Sequence, residues 1–460
     1  MKRNILYIVL LAVGVSSCHI YKPYKRPDVD TKGMYRDPVS VTDTLSVSDT
    51  TNMGNLPWEQ VFTDPQLQHL IRQGLENNSD LKTAALRVSE AEARLMTSRL
   101  AFLPSLSLAP QGTVSSFDKS SAQWSYQLPV AASWEIDLFG RLLNSKRGAK
   151  AALLQSEAYK QAVQTQVIST VANYYYTLLM LDRQLSITEQ TARNWEKNVQ
   201  MMKDLKAAGN VNEAAVVQSE ANYYAIVASL SDLRRQISES ENALSVLLGQ
   251  APQMIVRGTI EEQQFPVEMN TGIPVQMLSN RPDVRSAEMV LAGAYYNTNI
   301  ARSAFYPNLV ISGSAGWTNS AGGIIMNPAK FFASAVASLT QPLFARGANV
   351  AQLKIAKAQQ EEALIAFQQS ILNAGSEVSN ALVQYQAAEE KLVQRKEQIK
   401  SLEKSVEYTQ DLLYLDSSHT YLEVLTAQQS LLSAQLSEVA DNFQRMQSVI
   451  NLYHALGGGR

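Results

Sequence analysis

The side chains that most often bind metals or act as nucleophiles are scarce and scattered in this chain. Its 460 residues include one cysteine and four histidines, none of them at ligand spacing from another: His19, His69, His419 and His454. A single cysteine allows neither an intrachain disulfide nor a Cys/His zinc site. There is also no glycine-rich phosphate loop and no Ser/His/Asp set in a catalytic motif. The residue types argue against an enzyme and predict no bound cofactor.

The one cysteine, Cys18, stands in a context that predicts a covalent lipid. Two basic residues precede the apolar run 5–15, and two serines lead into Cys18, which is typical of an export signal. The residues before Cys18 resemble a bacterial lipobox, so we expect a signal peptide at 1–17 and a lipidated Cys18 at the start of the mature chain. Acyl chains contribute ~0.8 kcal/mol per buried CH2 and would hold the protein to a membrane. An aspartate directly after the lipidated cysteine would resemble an inner-membrane retention signal. Because that position holds His19 instead, we expect the protein in the outer membrane.

A long helix is predicted from Arg346 to about Asp416, because apolar residues recur there every 3.5 residues. The positions seven apart are Leu364, Ile371, Val378, Tyr385, Leu392, Ile399, Val406 and Leu413. Those three further on are Phe367, Ala374, Ala381, Ala388, Arg395, Leu402 and Thr409. This period is typical of supercoiled helices. Roughly seventy residues would extend on the order of 100 Å, which favours a function that uses length.

Two features of the predicted helices allow more than one interpretation. Arg395, which interrupts the apolar seam, is expected to line a lumen or to pair with Glu389, Glu390 or Glu397 on the surface. The pair Met201–Met202 could suggest export of a soft metal, but methionine at helical seam positions is usually core filler.

From Trp124 the apolar period changes from 3.5 to two. Apolar side chains alternate with mostly polar ones from Trp124 to Leu138, which predicts a strand with one apolar face. Ser105–Val114 is its expected hairpin partner. The strand exceeds the ~9–11 residues that cross a bilayer at a tilt. A soluble hairpin is equally compatible with alternation alone.

The first half of the chain recurs in the second. The matching segments are Asp80–Ala84 with Asp283–Ala287, Ala101–Pro104 with Ala304–Pro307, Leu138–Arg141 with Leu343–Arg346, and Leu248–Gly249 with Leu456–Gly457. Each half is therefore predicted to form a helix, a hairpin, a very long helix, a turn and a medium helix.

The predicted domain boundaries follow from this repeat. We expect a signal peptide at 1–17, a lipid-anchored extended arm at 18–56, a first repeat at 57–249, a connector at 250–280 and a second repeat at 281–460. The first repeat contains a hairpin at 105–138, a long helix at 141–207 and a helix at 211–248. The second contains a helix at 281–304, a hairpin at 308–343, a long helix at 346–416 and a helix at 420–456.

Two hairpins supply four strands, which cannot close a barrel alone, and open sheet edges are not tolerated in lipid. If the hairpins span a membrane, several copies must pool their strands. The predicted fold class is mainly α with transmembrane β: a long coiled-coil helical barrel, plus a four-stranded contribution to an oligomeric β-barrel.

Five motifs occur in chain order: Lys22–Pro27, the set Trp58, Phe62, Asp64-Pro65 and Leu67, then Trp134–Arg141, Asn280–Glu288 and Asn451–Gly459. Together they resemble the TolC-type outer-membrane factors, in particular their lipoprotein branch, which serves resistance-nodulation-division (RND) efflux pumps. The resemblance covers the chain from Cys18 to Gly459.

This resemblance implies a homotrimer whose strands form an outer-membrane barrel and whose helices form a periplasmic tunnel. A periplasmic adaptor and an inner-membrane RND-type pump would deliver small molecules such as drugs, toxic compounds or metal ions, and conduction would be passive. A channel for protein secretion and a lipid-anchored coiled-coil spacer remain alternatives. No nucleic-acid role is expected, because Lys+Arg (40) nearly balance Asp+Glu (42).

The resemblance also places function at the two helical turns. The expected adaptor-contact residues are Gly209, Asn210, Ser417 and Ser418. The expected gate residues, which would constrict the pore, are Tyr414, Asp416 and His419. Asp416 would contribute one carboxylate from each subunit to a ring around the pore.

Overall fold

The computed structural model describes residues 21–28, 56–118, 121–265, 281–319, 330–415 and 421–459. The chain divides into two compact units. Unit 1 comprises Met1–Asp30, Leu86–Ala158 and Arg285–Ser370, and unit 2 comprises Thr31–Ala85, Tyr159–Val284 and Ile371–Arg460. Each unit therefore combines segments from both sequence repeats.

The described residues are mainly helical. Their α-helices are α1 (Trp58–Val61), α2 (Pro65–Asn77), α3 (Ser79–Leu100), α4 (Arg141–Ala207), α5 (Glu213–Leu247), α6 (Pro282–Ser303), α7 (Ala348–Leu415) and α8 (Tyr421–Ala455). The two long helices, α4 and α7, have 67 and 68 residues. No described helix combines the length and the hydropathy that a membrane span requires.

Side-chain caps and glycines explain where several helices begin and end. The Asp64 carboxylate accepts a hydrogen bond from the Gln66 amide at 2.8 Å, and Pro65 occupies the first position of α2. At the end of α4, the Gly209 and Asn210 amides each donate at 2.9 Å, to the carbonyls of Lys206 and Leu205. This hydrogen-bond pattern requires the left-handed φ of +77° at Gly209, which glycine adopts without strain.

The heptad seam of α7 is confirmed, because every predicted seam residue whose side chain is described is buried or half-buried. The expected partners of Arg395 are wrong. Its Nε donates to the Asp441 carboxylate of α8 at 3.0 Å, while Glu389 instead pairs with Arg445 at 3.3 Å. Both pairs depend on the register between α7 and α8, which cannot be predicted from the sequence near Arg395.

The strands form one antiparallel sheet in unit 1. They are β1 (Ser105–Leu108), β2 (Gln111–Ser115), β3 (Gln123–Ile136), β4 (Asn308–Asn319) and β5 (Lys330–Thr340). β1 and β2 both pair with β3, which pairs with β4, which pairs with β5. The predicted single strand Ser105–Val114 is thus interrupted at Ala109–Pro110. Proline has no amide to donate to the ladder, so Pro110 favours a break between β1 and β2.

Candidate functional site

The sheet has one apolar and one largely polar face, as the alternation predicted. In one row Trp134 lies opposite Ile311, which in turn lies opposite Ala337. The adjacent row, which faces the other way, pairs Ser133 with Ser312. Large side chains of the apolar face are between 40% and 64% exposed in the single chain: Trp124, Leu128, Val130, Trp134, Trp317, Phe331 and Leu339. A continuous apolar face of this size is typical of a surface covered by lipid or protein.

Aromatic residues lie toward both ends of this apolar face. Trp124 and Trp134 are ten residues apart on β3, or roughly 33 Å. Near the Trp124 end, Trp317 and Phe331 lie opposite each other, with ring centroids 6.0 Å apart. Trp134 donates its indole N–H to the Phe102 carbonyl at 2.9 Å. Such aromatic girdles flank the apolar band of transmembrane barrels.

The β3–α4 junction is fixed by the polar residues of the motif Trp134–Arg141. The Arg141 Nε donates to the Glu135 carboxylate at 2.7 Å. The Asp137 carboxylate accepts from the Leu143 amide at 2.8 Å and so caps the first turn of α4. Gly140 between them has a φ of +73°. The motif therefore turns the chain from strand to helix and supplies no reactive group.

The N-terminal segment 21–28 packs on helices of unit 1. The Tyr24 amide donates to the Tyr296 hydroxyl at 3.3 Å, and burial raises the pKa of Tyr24 to about 12. Arg26 pairs with Glu288 at 3.6 Å and lies over the ring of Phe367, 5.5 Å from its centroid. The motif Lys22–Pro27 thus fixes the segment that follows Cys18. Cys18 itself lies outside the described residues.

In unit 2, a polar network joins the start of α2 to α4. The Tyr175 hydroxyl donates to the Asp64 carboxylate at 2.5 Å, and burial is the main reason that the pKa of Tyr175 is raised. Gln263 donates to the same carboxylate at 2.7 Å. Of these three residues, the sequence motifs include only Asp64. Tyr175 and Gln263 could not be predicted from the sequence, because both are far from Asp64 along the chain and belong to none of the motifs.

The α4–α5 turn holds the two described residues predicted for adaptor contact. Among the described residues, and apart from its chain neighbours, no heavy atom lies within 4 Å of a Cβ built on Gly209, so this side of the turn is open. Asn212 caps α5 by accepting from the Ala215 amide at 3.1 Å. Lys203 pairs with Glu220 at 2.8 Å across the two helices, and Lys206 pairs with Glu213 closer to the turn.

The ends of α7 and α8 share one hydrophobic core with the α4–α5 turn. Its buried members are Met202, Val216, Leu413 and Val424. Met202 is therefore core filler, and no group of three or more metal-ligating residues occurs among the described residues. Tyr414 is described as part of the α7 backbone. The remaining predicted tip residues lie outside the described residues: Asp416, Ser417, Ser418 and His419.

These features define a class: a membrane protein whose amphipathic hairpins are joined to very long paired helices. Comparison with known families agrees. The profile described as "Outer membrane efflux protein" matches residues 70–250 and 273–458. The chain belongs to this family.

Individual relatives match along nearly the whole chain. "Cation efflux system protein CusC" of Escherichia coli is 28% identical over 452 residues, 98% of this chain and 97% of the relative. "Toluene efflux pump outer membrane protein TtgC" of Pseudomonas putida is 27% identical over 471 residues, 100% of this chain and 96% of the relative. A crystal structure of CusC has a TM-score of 0.85 at 27% identity, covering 95% of this chain and 99% of that chain.

The fold class is therefore confirmed: the protein is mainly helical, and its sheet is one chain's contribution to an outer-membrane β-barrel. The protein is an efflux protein of the outer membrane.

Proposed function

We propose that this protein is the exit duct of a tripartite efflux system. Three copies form one channel, which conducts small molecules passively from a periplasmic adaptor and an inner-membrane RND-type pump to the outside. The observation that carries the proposal is the sheet of unit 1, which has an apolar face, a largely polar face and two outer strand edges without a pairing strand among the described residues.

The sheet explains why one chain is insufficient. Unpaired N–H and C=O groups at the edges of β1, β2 and β5 would be costly in hydrocarbon, where water cannot satisfy them. Each neighbouring pair in the order β1, β3, β4, β5 is antiparallel, so β1 and β5 run in opposite directions. The β5 edge of one copy can therefore pair antiparallel with the β1–β2 edge of the next. Closure of the ring directs the apolar face to lipid and the polar face to a water-filled lumen.

The cargo is proposed as a broad class. The cation protein CusC and the toluene protein TtgC resemble this chain to a similar extent, 28% and 27% identity, although their names specify chemically unrelated cargo. The polar face of the sheet is rich in hydroxyl groups, with Ser314 and Ser334 hydrogen-bonded across β4 and β5 at 2.9 Å. Such a lining suits a passive conduit whose cargo is selected by the pump.

Individual residues have distinct roles in the proposed channel. A lipid on Cys18 anchors the chain to the outer membrane. The tip residues Gly209, Asn210, Ser417 and Ser418 contact the adaptor, and the gate is formed by Tyr414, Asp416 and His419. Support comes from the open α4–α5 turn and from the shared core beneath it.

The test combines gel migration with conductance. The detergent-purified protein is expected to migrate as a trimer that heating converts to monomer, and to open stable channels in planar bilayers. A monomer without conductance, in which the segment Trp124–Leu138 is exposed to water, would support the coiled-coil spacer instead. A functional test is deletion of the gene, which should sensitise cells to small toxic compounds.

A further inference from the structure

One aromatic contact has an equivalent pair of positions in the other repeat, but within a single chain that second pair is not in contact. Phe139, at the β3–α4 junction, stacks on Tyr306, at the α6–β4 junction, with ring centroids 4.8 Å apart and planes 11° apart. The repeat equivalents are Phe344, after β5, and Leu103, before β1. Both remain exposed, Phe344 by 86% and Leu103 by 61%.

We infer that Phe344 of one copy packs on Leu103 of the next, and that Leu339 on β5 lies opposite Leu108 on β1 of that next copy. This inference rests on the proposed channel and specifies its subunit interface. The contact joins unlike flanks of two identical chains. Such heterologous contacts generate rings when the rotation closes.

The strand register follows from the repeat. Within the chain, β3 pairs with β4 so that Trp134 lies opposite Ile311. The motif Leu138–Arg141 recurs 205 residues later, and Ala101–Pro104 recurs 203 residues later. With these offsets, the repeat equivalent of Trp134 is Leu339, 205 residues later, and the repeat equivalent of Ile311 is Leu108, 203 residues earlier.

The two sheet faces provide an independent check on this register. Leu339 lies opposite Leu309, and Leu108 lies opposite Val130, so both belong to the apolar face. The inferred register pairs them with each other and pairs Thr340 with Ser107 on the polar face. A slip of one residue would place apolar side chains of one copy against polar side chains of the other.

The helices beside the strands agree with this interface. Within the chain, α4 approaches α6 closely enough that the side-chain Nδ2 of Asn299 donates to the side-chain Oδ1 of Asn144 at 3.4 Å. The equivalent flanks, the end of α3 and the start of α7, carry exposed apolar side chains. They are Met96, Leu100 and Leu103 on one flank and Leu343, Phe344 and Val350 on the other.

Disulfide cross-linking tests the register. In the double variant Leu339→Cys with Leu108→Cys, oxidation in isolated outer membranes is expected to give covalent dimers and trimers. An intrachain bond is excluded because β3 and β4 separate β1 from β5 by roughly 14 Å, whereas disulfide Cβ atoms lie about 4 Å apart. Cys18, the one native cysteine, is common to all variants.

Two matched variants make the result specific. Leu339→Cys is combined either with Ser107→Cys, on the opposite face, or with Leu106→Cys, two residues along the same face. Cross-linking should be several-fold stronger with Leu108→Cys than with either. A conducting trimer that cross-links best through Leu106 or Ser107 overturns the register and leaves the channel function intact. A protein that forms no oligomer overturns both.

The aromatic contact has its own test. Phe344→Ala is expected to lower the temperature at which the trimer dissociates on a gel. Met254→Ala, at an equally exposed residue outside the sheet, should leave that temperature unchanged. Leu103→Tyr, which restores the aromatic residue found at Tyr306, should raise it. Equal behaviour of Phe344→Ala and Met254→Ala would overturn the contact.

Discussion

Arg281 donates a hydrogen bond from Nη1 to the carbonyl oxygen of Ala455, 2.8 Å away. The bond joins the start of the second repeat to the last residue of α8. The same guanidinium pairs with Asp283 and Glu377, each at 2.7 Å, and its side chain is 3% exposed. Burial lowers the pKa of Arg281, but these carboxylates offset burial and raise it, so Arg281 remains charged inside unit 2.

Replacing Arg281 should therefore destabilise the fold. Arg281→Gln leaves the Ala455 carbonyl without its charged donor, so we expect the free energy of unfolding to fall by about 1–3 kcal/mol. Circular dichroism during denaturant titration in detergent measures the change. Arg235→Gln is the control, since the ion pairs of Arg235 with Asp232 and Glu239 along α5 are exposed. Equal stability of the two variants would contradict a structural role for Arg281.

His454, next to Ala455, should make stability depend on pH. Burial, and secondarily the positive charge of Arg281, lower the pKa of His454 below its usual 6.5. The unfolded chain therefore binds more protons between pH 6.5 and the lowered pKa, so stability falls as the pH falls through that window.

The measurement is the thermal midpoint of the trimer between pH 7.5 and 5.5. His454→Gln should reduce the loss of stability at acidic pH. His69→Gln, at an exposed position of α2, should lose as much stability as the unmodified protein. If His454→Gln and the unmodified protein lose the same stability on acidification, His454 is not the group responsible.

Gly316 should be essential for pairing of β3 with β4. It lies opposite Pro129, and a Cβ built on it would overlap the Leu128 carbonyl and lie 2.7 Å from the Pro129 Cα. Because both obstacles are backbone atoms, Gly316→Ala must shift the strands apart. We expect a large loss of heat-labile trimer in outer-membrane fractions.

The control is Gly293→Ala on α6, where no atom of the part of the chain that the structure describes lies within 4 Å of the added Cβ beyond the helix's own backbone and the chain neighbours. That change should be neutral or stabilising by up to about 1 kcal/mol, because alanine favours helix. Normal trimer levels in Gly316→Ala would show that the two strands can separate without cost.

The sequence predicted those features that depend on a local period. The seam of α7 and the two faces of β3 follow from spacings of 3.5 and two residues, and both are found in the structure. Long-range register does not follow from a local period. The Arg395–Asp441 pair, the hydrogen bond from Tyr175 to Asp64 and the pairing of β3 with β4 all join segments that are far apart in sequence. The presence of proline alone does not predict a break either, because Pro110 falls between β1 and β2 whereas Pro129 lies within β3.

Asp416 is expected to limit the conductance of the channel. Asp416→Ala removes a proposed ring of carboxylates and should raise single-channel conductance in planar bilayers. Asp411→Ala, at an exposed position earlier on α7, is the matched control and should leave conductance unchanged. Unchanged conductance in Asp416→Ala would exclude Asp416 from the gate.

The central claim is that β3 separates lipid from a water-filled lumen, and residue-by-residue accessibility tests it most directly. Spin labels on single cysteines from Leu128 to Trp134 would be measured in reconstituted membranes with oxygen, which concentrates in lipid, and with a water-soluble nickel chelate. We expect a period of two, with labels at Val130 and Ala132 exposed to oxygen and labels at Ala131 and Ser133 exposed to nickel. Uniform accessibility to nickel along the strand would contradict the channel.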